Sequence, residues 1–254
     1  MSEKFGVHLR DKVDKELFGD IQRDVSTEGM PALHHRVDKY FDLWNIAPVY
    51  VRSGEKDFLE LRKRLNADAG IIISNHPGYV DVPAILRCID RNDIKIMVDR
   101  DGYETLRALI GETYIVPADA NVLSEVASHI ANGGVFLIFP TGGESAGSKI
   151  DFKPGFTKLL ETLKPNDMVY SFHMDSGDVA SIESAYAGRS LGVASAVYLN
   201  PALNSNRLRE TKSFAVNENY STAREWQQAC SKETVLRKKT ALLTEHFKRL
   251  YLTN

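Results

Sequence analysis

The chain has 254 residues, which fits one large domain or a core domain with a helical addition. Lys plus Arg (32) and Asp plus Glu (34) nearly balance, at a formal net charge of −2, which argues against a dedicated nucleic-acid binder. Hydrophobic residues make up 43% and charged residues 26%, so the composition excludes a mainly disordered chain.

The cysteines and the hydropathy pattern exclude further classes. Cys88 and Cys230 form no CxxC pair, so neither a cysteine-ligated zinc site nor a disulfide scaffold is expected. No apolar run approaches the roughly 20 residues of a membrane helix, and residues 1–10 lack the apolar stretch of a signal peptide. We therefore expect a cytoplasmic protein and leave association with a membrane surface open.

The first part of the chain is predicted to be helical. Apolar residues recur at helical spacing over 9–21 and again over 33–44, and a shorter helix with a basic face follows over 58–65. The pattern then changes to short apolar runs. We expect residues 1–66 to form a helical N-terminal segment packed on the core, and residues 67–254 to form an α/β domain that ends in a helix.

Strands and helices alternate from residue 70 onward. Apolar runs predict strands, and spacings of three and four predict helices between them. The predicted strands are 71–73, 94–98, 114–116, 135–139, 168–172 and 193–199, and the predicted helices are one from about 82, then 103–110, 122–130 and 156–163. This alternation is typical of βαβ units, so the predicted class is α/β, with a mixed, mostly parallel sheet flanked by helices.

The last quarter of the chain is harder to interpret. Residues 201–219 are polar with little periodicity, and we interpret them as an excursion or flap. A terminal helix follows, and its spacing predicts one apolar face made of Val235, Leu236, Leu242, Leu243, Phe247 and Leu250.

The first chemical signal is the segment Asn75-His76-Pro77-Gly78-Tyr79-Val80-Asp81, between a predicted strand and a helix. Ligands of open α/β sheets usually bind at such strand ends. An Asp five positions after a His can fold back, fix the imidazole tautomer, and let the ring take a proton from a hydroxyl. His173 and Asp178 repeat the spacing without the Asn and Pro-Gly context. The simpler alternatives are a helix N-cap at Asp81 and a hydrogen-bonded turn histidine at His76.

The second signal is the segment Phe139-Pro140-Thr141-Gly142-Gly143-Glu144-Ser145, which follows the clearest strand. Glycines in such a loop let backbone N–H groups approach a phosphate or an oxyanion. The overlapping stretch 143–147 also fits Gly-x-Ser-x-Gly, the nucleophile elbow of α/β-hydrolases. A serine esterase that uses Ser145, with Asp175 or Asp178 and His246, is therefore an open alternative.

Together, the two segments resemble the motifs of the glycerophospholipid acyltransferases. Asn-His-x4-Asp resembles their first motif, 139–145 resembles either Phe-Pro-Glu-Gly-Thr-Arg-Ser or a Pro-Ser-Gly-Gly form, and 152–156 resembles the following Phe-Lys-x-Gly. The resemblance spans about 70–170. It implies transfer of a fatty acyl group from acyl-CoA or acyl carrier protein to a hydroxyl, with no tightly bound cofactor. The implied catalytic residues are His76 as general base and Asp81 as its partner.

The resemblance also places substrate contacts at the motif residues Asn75, Gly78, Thr141, Gly142 and Gly143. Arg100, Lys149 and Lys153 are candidates to replace the family's missing phosphate-binding arginine, with a solvated surface as the alternative. The chain departs from the family pattern at the motif Glu (Thr141 here), at the motif Arg (Glu144 here) and at a Gly-x5-Arg segment. The expected partners are an acyl thioester, a glycerol-phosphate or lysophospholipid-like acceptor and a peripheral membrane surface, without nucleic acid or metal. A non-catalytic acyl- or lipid-binding protein is the third alternative.

Overall fold

The structure is a computed structural model. It describes residues 28–44, 46–52, 58–76, 81–99, 110–119, 121–142, 150–175 and 212–251. The α-helices are α1 (Met30–Trp44), α2 (Phe58–Ala67), α3 (Asp81–Leu86), α4 (Val122–Ala131), α5 (Pro154–Thr162), α6 (Ala223–Cys230) and α7 (Leu236–Tyr251). The strands are β1 (Ile46–Arg52), β2 (Gly70–Ser74), β3 (Ile94–Val98), β4 (Ile115–Pro117), β5 (Val135–Ile138), β6 (Met168–Asp175) and β7 (Lys212–Thr222).

These strands form one seven-stranded sheet in the order β1-β7-β6-β2-β5-β3-β4. The five strands from β6 to β4 are parallel to one another. β7 runs antiparallel to β6 and parallel to β1. The predicted class, an α/β fold with a mixed, mostly parallel sheet, is therefore confirmed.

Helices cover both faces of the sheet because its central strands are apolar on both sides. In β2, Ile72 joins a buried cluster with α1, α2 and α3, while Ile71 and Ile73 join another with α4 to α7. Such continuous apolar runs are expected where both faces of a parallel sheet are buried. β2 therefore lies in the middle of the core, and its carboxyl end is held between two packed layers.

Several sequence predictions agree closely with these elements. The strand predicted over 94–98 has those bounds, and α4 ends where the predicted spacing stops, before Gly133. Gly133 has a φ of 91°, a left-handed conformation that favours glycine after a helix end. The predicted helix over 103–110, apart from residue 110, and the predicted strand over 193–199 lie outside the described residues.

Two strands contradict the sequence analysis. The segment 1–66 is not helical throughout, because β1 lies between α1 and α2 and forms an edge of the sheet. The polar stretch 201–219 was interpreted as a flap, but residues 212–222 form β7, between β1 and β6. The strand was not predicted because polar residues occupy buried positions in it. Glu218, for example, is 1% exposed, so the usual alternation of apolar and polar residues is absent from the sequence. The division at residue 66 stays a prediction.

The terminal helix α7 exists, but its buried face differs from the prediction. Leu243 and Phe247 are fully buried, whereas Leu242 is 38% exposed and Val235, just before the helix, is 50% exposed. Adjacent residues on a helix point about 100° apart, so Leu242 and Leu243 cannot both face the core. The position of the sheet, which the sequence does not reveal, decides which of them is buried.

Candidate active site

The structure brings His76 and Asp81 into contact at the carboxyl end of β2. His76 Nδ1 lies 2.6 Å from Asp81 Oδ2, and Asp81 Oδ1 accepts a hydrogen bond of 2.6 Å from the Val82 N–H. Asp81 thus binds the imidazole and also satisfies a backbone donor in the first turn of α3. The N-cap-like contact and the pairing with His76 are compatible, since the carboxylate uses one oxygen for each.

The contact fixes the tautomer of His76. An ionised carboxylate can only accept hydrogen bonds, so Nδ1 carries the proton and Nε2 is the basic nitrogen. The Asp81 side chain is 1% exposed and that of His76 is 24% exposed. A buried carboxylate behind a half-buried imidazole is the arrangement that orients a general base and stabilises its protonated form.

Phe139 packs against one face of the His76 imidazole ring. Its ring stacks on that of His76 with a centroid distance of 4.2 Å and an interplanar angle of 20°. Phe139 follows β5, which pairs with β2 in parallel, so both side chains leave the same edge of the sheet. Phe139 is a motif residue for which the sequence predicts no role of its own. No local spacing signals this contact, because it depends on β2 and β5 being neighbours in the sheet.

Asn75 links the ends of β2 and β6. Its amide nitrogen donates to Met174 O at 2.9 Å, and its amide oxygen accepts from Met174 N at 2.7 Å. The residue is 4% exposed. Both ends of the amide are therefore engaged with backbone, which favours a role in holding the strand end that precedes His76. Contact between Asn75 and substrate stays a prediction.

The segment after β5 forms a tight turn that reaches the start of α5. Gly142 N donates to Phe139 O at 2.9 Å, and Lys153 N donates to Pro140 O at 2.7 Å. Gly142 has a φ of 72°, and a Cβ there would lie 3.1 Å from Lys153 Cγ. The exposed Lys153 side chain therefore passes close over Gly142. The Gly142 N–H already serves the turn, and Thr141 is buried beside it. Contact of either residue with substrate stays a prediction.

The other predicted site residues lie outside the described part of the chain. These are Gly78, Arg100, Gly143 and Lys149, and also Ser145, the nucleophile of the esterase alternative. His246 of that alternative is described. Its ring packs edge-on against Trp226 at 4.7 Å, in the cluster on the sheet face opposite to Phe139. Burial, and then Arg249, lower the pKa of His246 below its ordinary value.

The described residues contain neither a metal-binding cluster nor a membrane-spanning helix. Among them, no three His, Cys, Asp or Glu side chains converge in a way that could hold a metal ion. Within the same part of the chain, no helix combines the length and the apolar character needed to cross a bilayer.

Two comparisons with known proteins both find acyltransferases. A family model described as Acyltransferase matches residues 58–172, a range that includes His76, Asp81 and Phe139. In solved structures, the chain is similar to the 1-acyl-sn-glycerophosphate (LPA) acyltransferase PlsC from Thermotoga maritima. The TM-score is 0.56 at 13% identity, with 98% of this chain and 96% of that chain covered. No curated protein sequence matches significantly.

The fold and the family match indicate the class of protein. Residues 58–172 match the acyltransferase family model, and this match together with the shared fold supports the resemblance to glycerophospholipid acyltransferases. The similarity to PlsC, at this identity, concerns the fold over nearly the whole chain.

Proposed function

We propose that this protein transfers a fatty acyl group from an acyl thioester to a hydroxyl of a lipid-like acceptor, with His76 as the general base. The observation that carries the proposal is the buried Asp81 carboxylate 2.6 Å from His76 Nδ1, at a strand end within the residues that match the acyltransferase family model. This pair gives a basic nitrogen, Nε2, on a ring whose orientation is fixed on two sides.

The reaction balances without a covalent enzyme intermediate. The acceptor hydroxyl gives its proton to His76 Nε2 as its oxygen attacks the thioester carbonyl. The tetrahedral intermediate collapses, the carbon–sulfur bond breaks, and the leaving thiolate takes the proton from His76. The products are an ester and a free thiol. Asp81 stabilises the imidazolium that forms between the two proton transfers.

The acceptor that we propose is a glycerol phosphate or a lysophospholipid, and the donor is acyl-CoA or acyl carrier protein. The support for the acceptor is the shared fold with PlsC, whose name states action on 1-acyl-sn-glycerophosphate. Thr141 and Lys153, beside the turn after β5, are proposed to contact substrate together with Gly142. On this basis we also propose a role in phospholipid synthesis, at a cytoplasmic membrane surface.

The test is thiol release from palmitoyl-CoA and from palmitoyl-acyl carrier protein by the purified chain. Glycerol 3-phosphate, lysophosphatidate and an uncharged long-chain alcohol serve as acceptors. We expect acceptor-dependent release that falls by about 10²- to 10⁴-fold in His76→Ala. His35→Ala is the matched control, because His35 is an exposed histidine of α1. This variant should keep wild-type activity.

The alternatives give different results in the same assay. Acceptor-independent release that survives in His76→Ala would contradict the proposal and indicate hydrolysis. Labelling by a fluorophosphonate probe that disappears in Ser145→Ala would then support the esterase. No release from either donor, combined with saturable binding of palmitoyl-CoA, would indicate the binding protein instead.

A further inference from the structure

Helix α3, which begins with Asp81, is too short to hold its own position. It has six residues, all of them buried. Isolated helices of this length are not stable, because nucleation fixes several residues for each early hydrogen bond. The placement of the Asp81 carboxylate against His76 therefore depends on tertiary contacts to α3.

Side chains from two other elements bind the carbonyl groups at the far end of α3. Tyr50 of β1 donates its hydroxyl to Ala84 O at 2.9 Å. Nε2 of His34, from α1, lies 3.1 Å from Leu86 O and 2.7 Å from Ile89 O. These carbonyls belong to the last turn of α3 and the residues after it, where a helix leaves acceptors unsatisfied. The contacts thus anchor the helix along its axis.

Tyr50 also belongs to a buried polar cluster, which we define as Tyr50, Arg62, Cys88 and Glu218. Arg62 Nη2 donates to Glu218 Oε1 at 2.7 Å, and the Arg62 guanidinium lies 4.8 Å from the centre of the Tyr50 ring. The Cys88 sulfur lies 3.3 Å from both Ala84 O and Glu218 Oε1. The cluster therefore joins β1, α2 and β7 to the end of α3.

The cluster lies at the level of the active site in the sheet. Glu218 pairs across the ladder with Phe172, and Phe172 pairs with Ser74, two residues before His76. Burial raises the pKa of Glu218, with Arg62 opposing, and burial also raises the pKa of Cys88 well above its ordinary value. The thiol consequently stays protonated and can donate its single proton to either of the two acceptors.

The composition of the cluster is informative because polar groups in a protein core do not in general add stability. Replacing a buried ion pair by well-packed apolar residues is often neutral or stabilising, whereas its hydrogen bonds are directional. An apolar contact would let a short helix slide or rotate. Hydrogen bonds to Ala84 O fix its axial position and its rotation, and hence the place of Asp81 one turn earlier.

We propose that the Tyr50, Arg62, Cys88 and Glu218 cluster positions Asp81 for catalysis by holding α3, and that Tyr50 is a positioning residue. The proposal rests on the acyltransferase function proposed above. None of these four side chains is assigned a contact with substrate, so their effect should pass through the His76–Asp81 pair.

The first test compares Tyr50→Phe with Tyr251→Phe. Each removes one hydroxyl that donates to a backbone carbonyl, and Tyr251 donates to Ser171 O at 2.6 Å on the opposite face of the sheet. We expect Tyr50→Phe to lower kcat by about three- to tenfold, the range of one hydrogen bond, with KM for palmitoyl-CoA unchanged. Tyr251→Phe should lose similar stability and keep the wild-type kcat.

A double-mutant cycle tests the route of the effect. In an Asp81→Asn background, Tyr50→Phe should lower kcat by less than twofold, because the group that it positions is already disabled. Glu218→Gln keeps the shape of the side chain. Its effect on kcat should likewise fall below twofold in the Asp81→Asn background. Equal kcat changes in Tyr50→Phe and Tyr251→Phe, or additive effects with Asp81→Asn, would overturn the proposal. A wild-type chain without transfer would instead refute the proposed function itself.

Discussion

The aromatic contact on His76 gives a prediction whose size follows from the structure. Phe139→Leu removes a ring that stacks on the imidazole at 4.2 Å and leaves an apolar side chain of similar reach. Phe139 is 8% exposed, so the leucine remains in a packed environment. The hydrogen bond to Asp81 stays, but the imidazole loses the surface that limits its rotation about the Cβ–Cγ bond.

The expected loss of rate is modest. Stacked aromatic pairs contribute about 0.5–1.5 kcal/mol beyond the burial of their surface. If this energy favours the productive orientation of His76, its loss lowers kcat by about two- to tenfold, at about 1.4 kcal/mol for each factor of ten. Because Phe139 is a core residue, the substitution also lowers the free energy of unfolding by about 1–2 kcal/mol.

The control must separate the effect on rate from the loss of stability. Phe136 is fully buried in the same strand region, and its ring meets the His129 ring edge-on at 6.0 Å on the other face of the sheet. Phe136→Leu should therefore lose comparable stability in urea unfolding and keep kcat. Steady-state kcat for thiol release, measured well below the unfolding midpoint, checks this. Equal kcat values in the two variants would refute the orienting role of Phe139.

Three further predictions concern charge, backbone and pH. Asp81→Asn should lower kcat by about tenfold to a hundredfold, which is the range of a charge-assisted hydrogen bond. Asp90→Asn is the control and should keep kcat, because Asp90 is an exposed carboxylate beside His34. Gly70→Ala would collide with the backbone of β6 and should lower the unfolding midpoint, whereas Gly155→Ala meets open space in α5 and should not. Burial holds the pKa of His246 below its ordinary value of 6.5, so the unfolded chain takes up this proton more readily than the folded one. Acidification through and below pH 6.5 should therefore lower the free energy of unfolding, and urea unfolding should show a smaller decrease in His246→Gln.

The central strands β2 and β5 could be predicted because every residue in them is buried. Both are short apolar runs, and such a run bounded by polar residues is a sufficient signal for a strand buried on both faces. β3 could be predicted because apolar residues alternate along it, with Ile94, Ile96 and Val98 buried. β1 could not be predicted, because it follows a helical pattern and contains Pro48, which disfavours a strand interior. Pro48 is tolerated since β1 is an edge strand with one pairing neighbour, and edge status depends on the topology.

In the candidate site, contacts between residues close in the sequence could be predicted, and contacts between different strands could not. The contact of His76 with Asp81 could be predicted because the two residues lie only five positions apart in the sequence. The contacts of Phe139 and Asn75 could not be predicted from local spacing, since they join β2 to β5 and to β6. A sequence shows which strand ends carry polar residues. It does not show which strands are neighbours, and that order decides which side chains meet.

The failure to predict β7 has a physical cause that bears on the site. Glu218 is a charged residue at a fully buried strand position, where an aliphatic residue would have given the pattern of a strand. Local rules that a folded protein breaks are often broken where function requires a particular side chain. Glu218 contacts Cys88 and Arg62, and Cys88 in turn contacts Ala84 O in the helix that begins with Asp81. Glu218 therefore both obscured the strand in the sequence and lies in the cluster proposed to position Asp81. Replacing it, in Glu218→Gln, tests whether the core of this domain is built for the position of the proposed catalytic carboxylate.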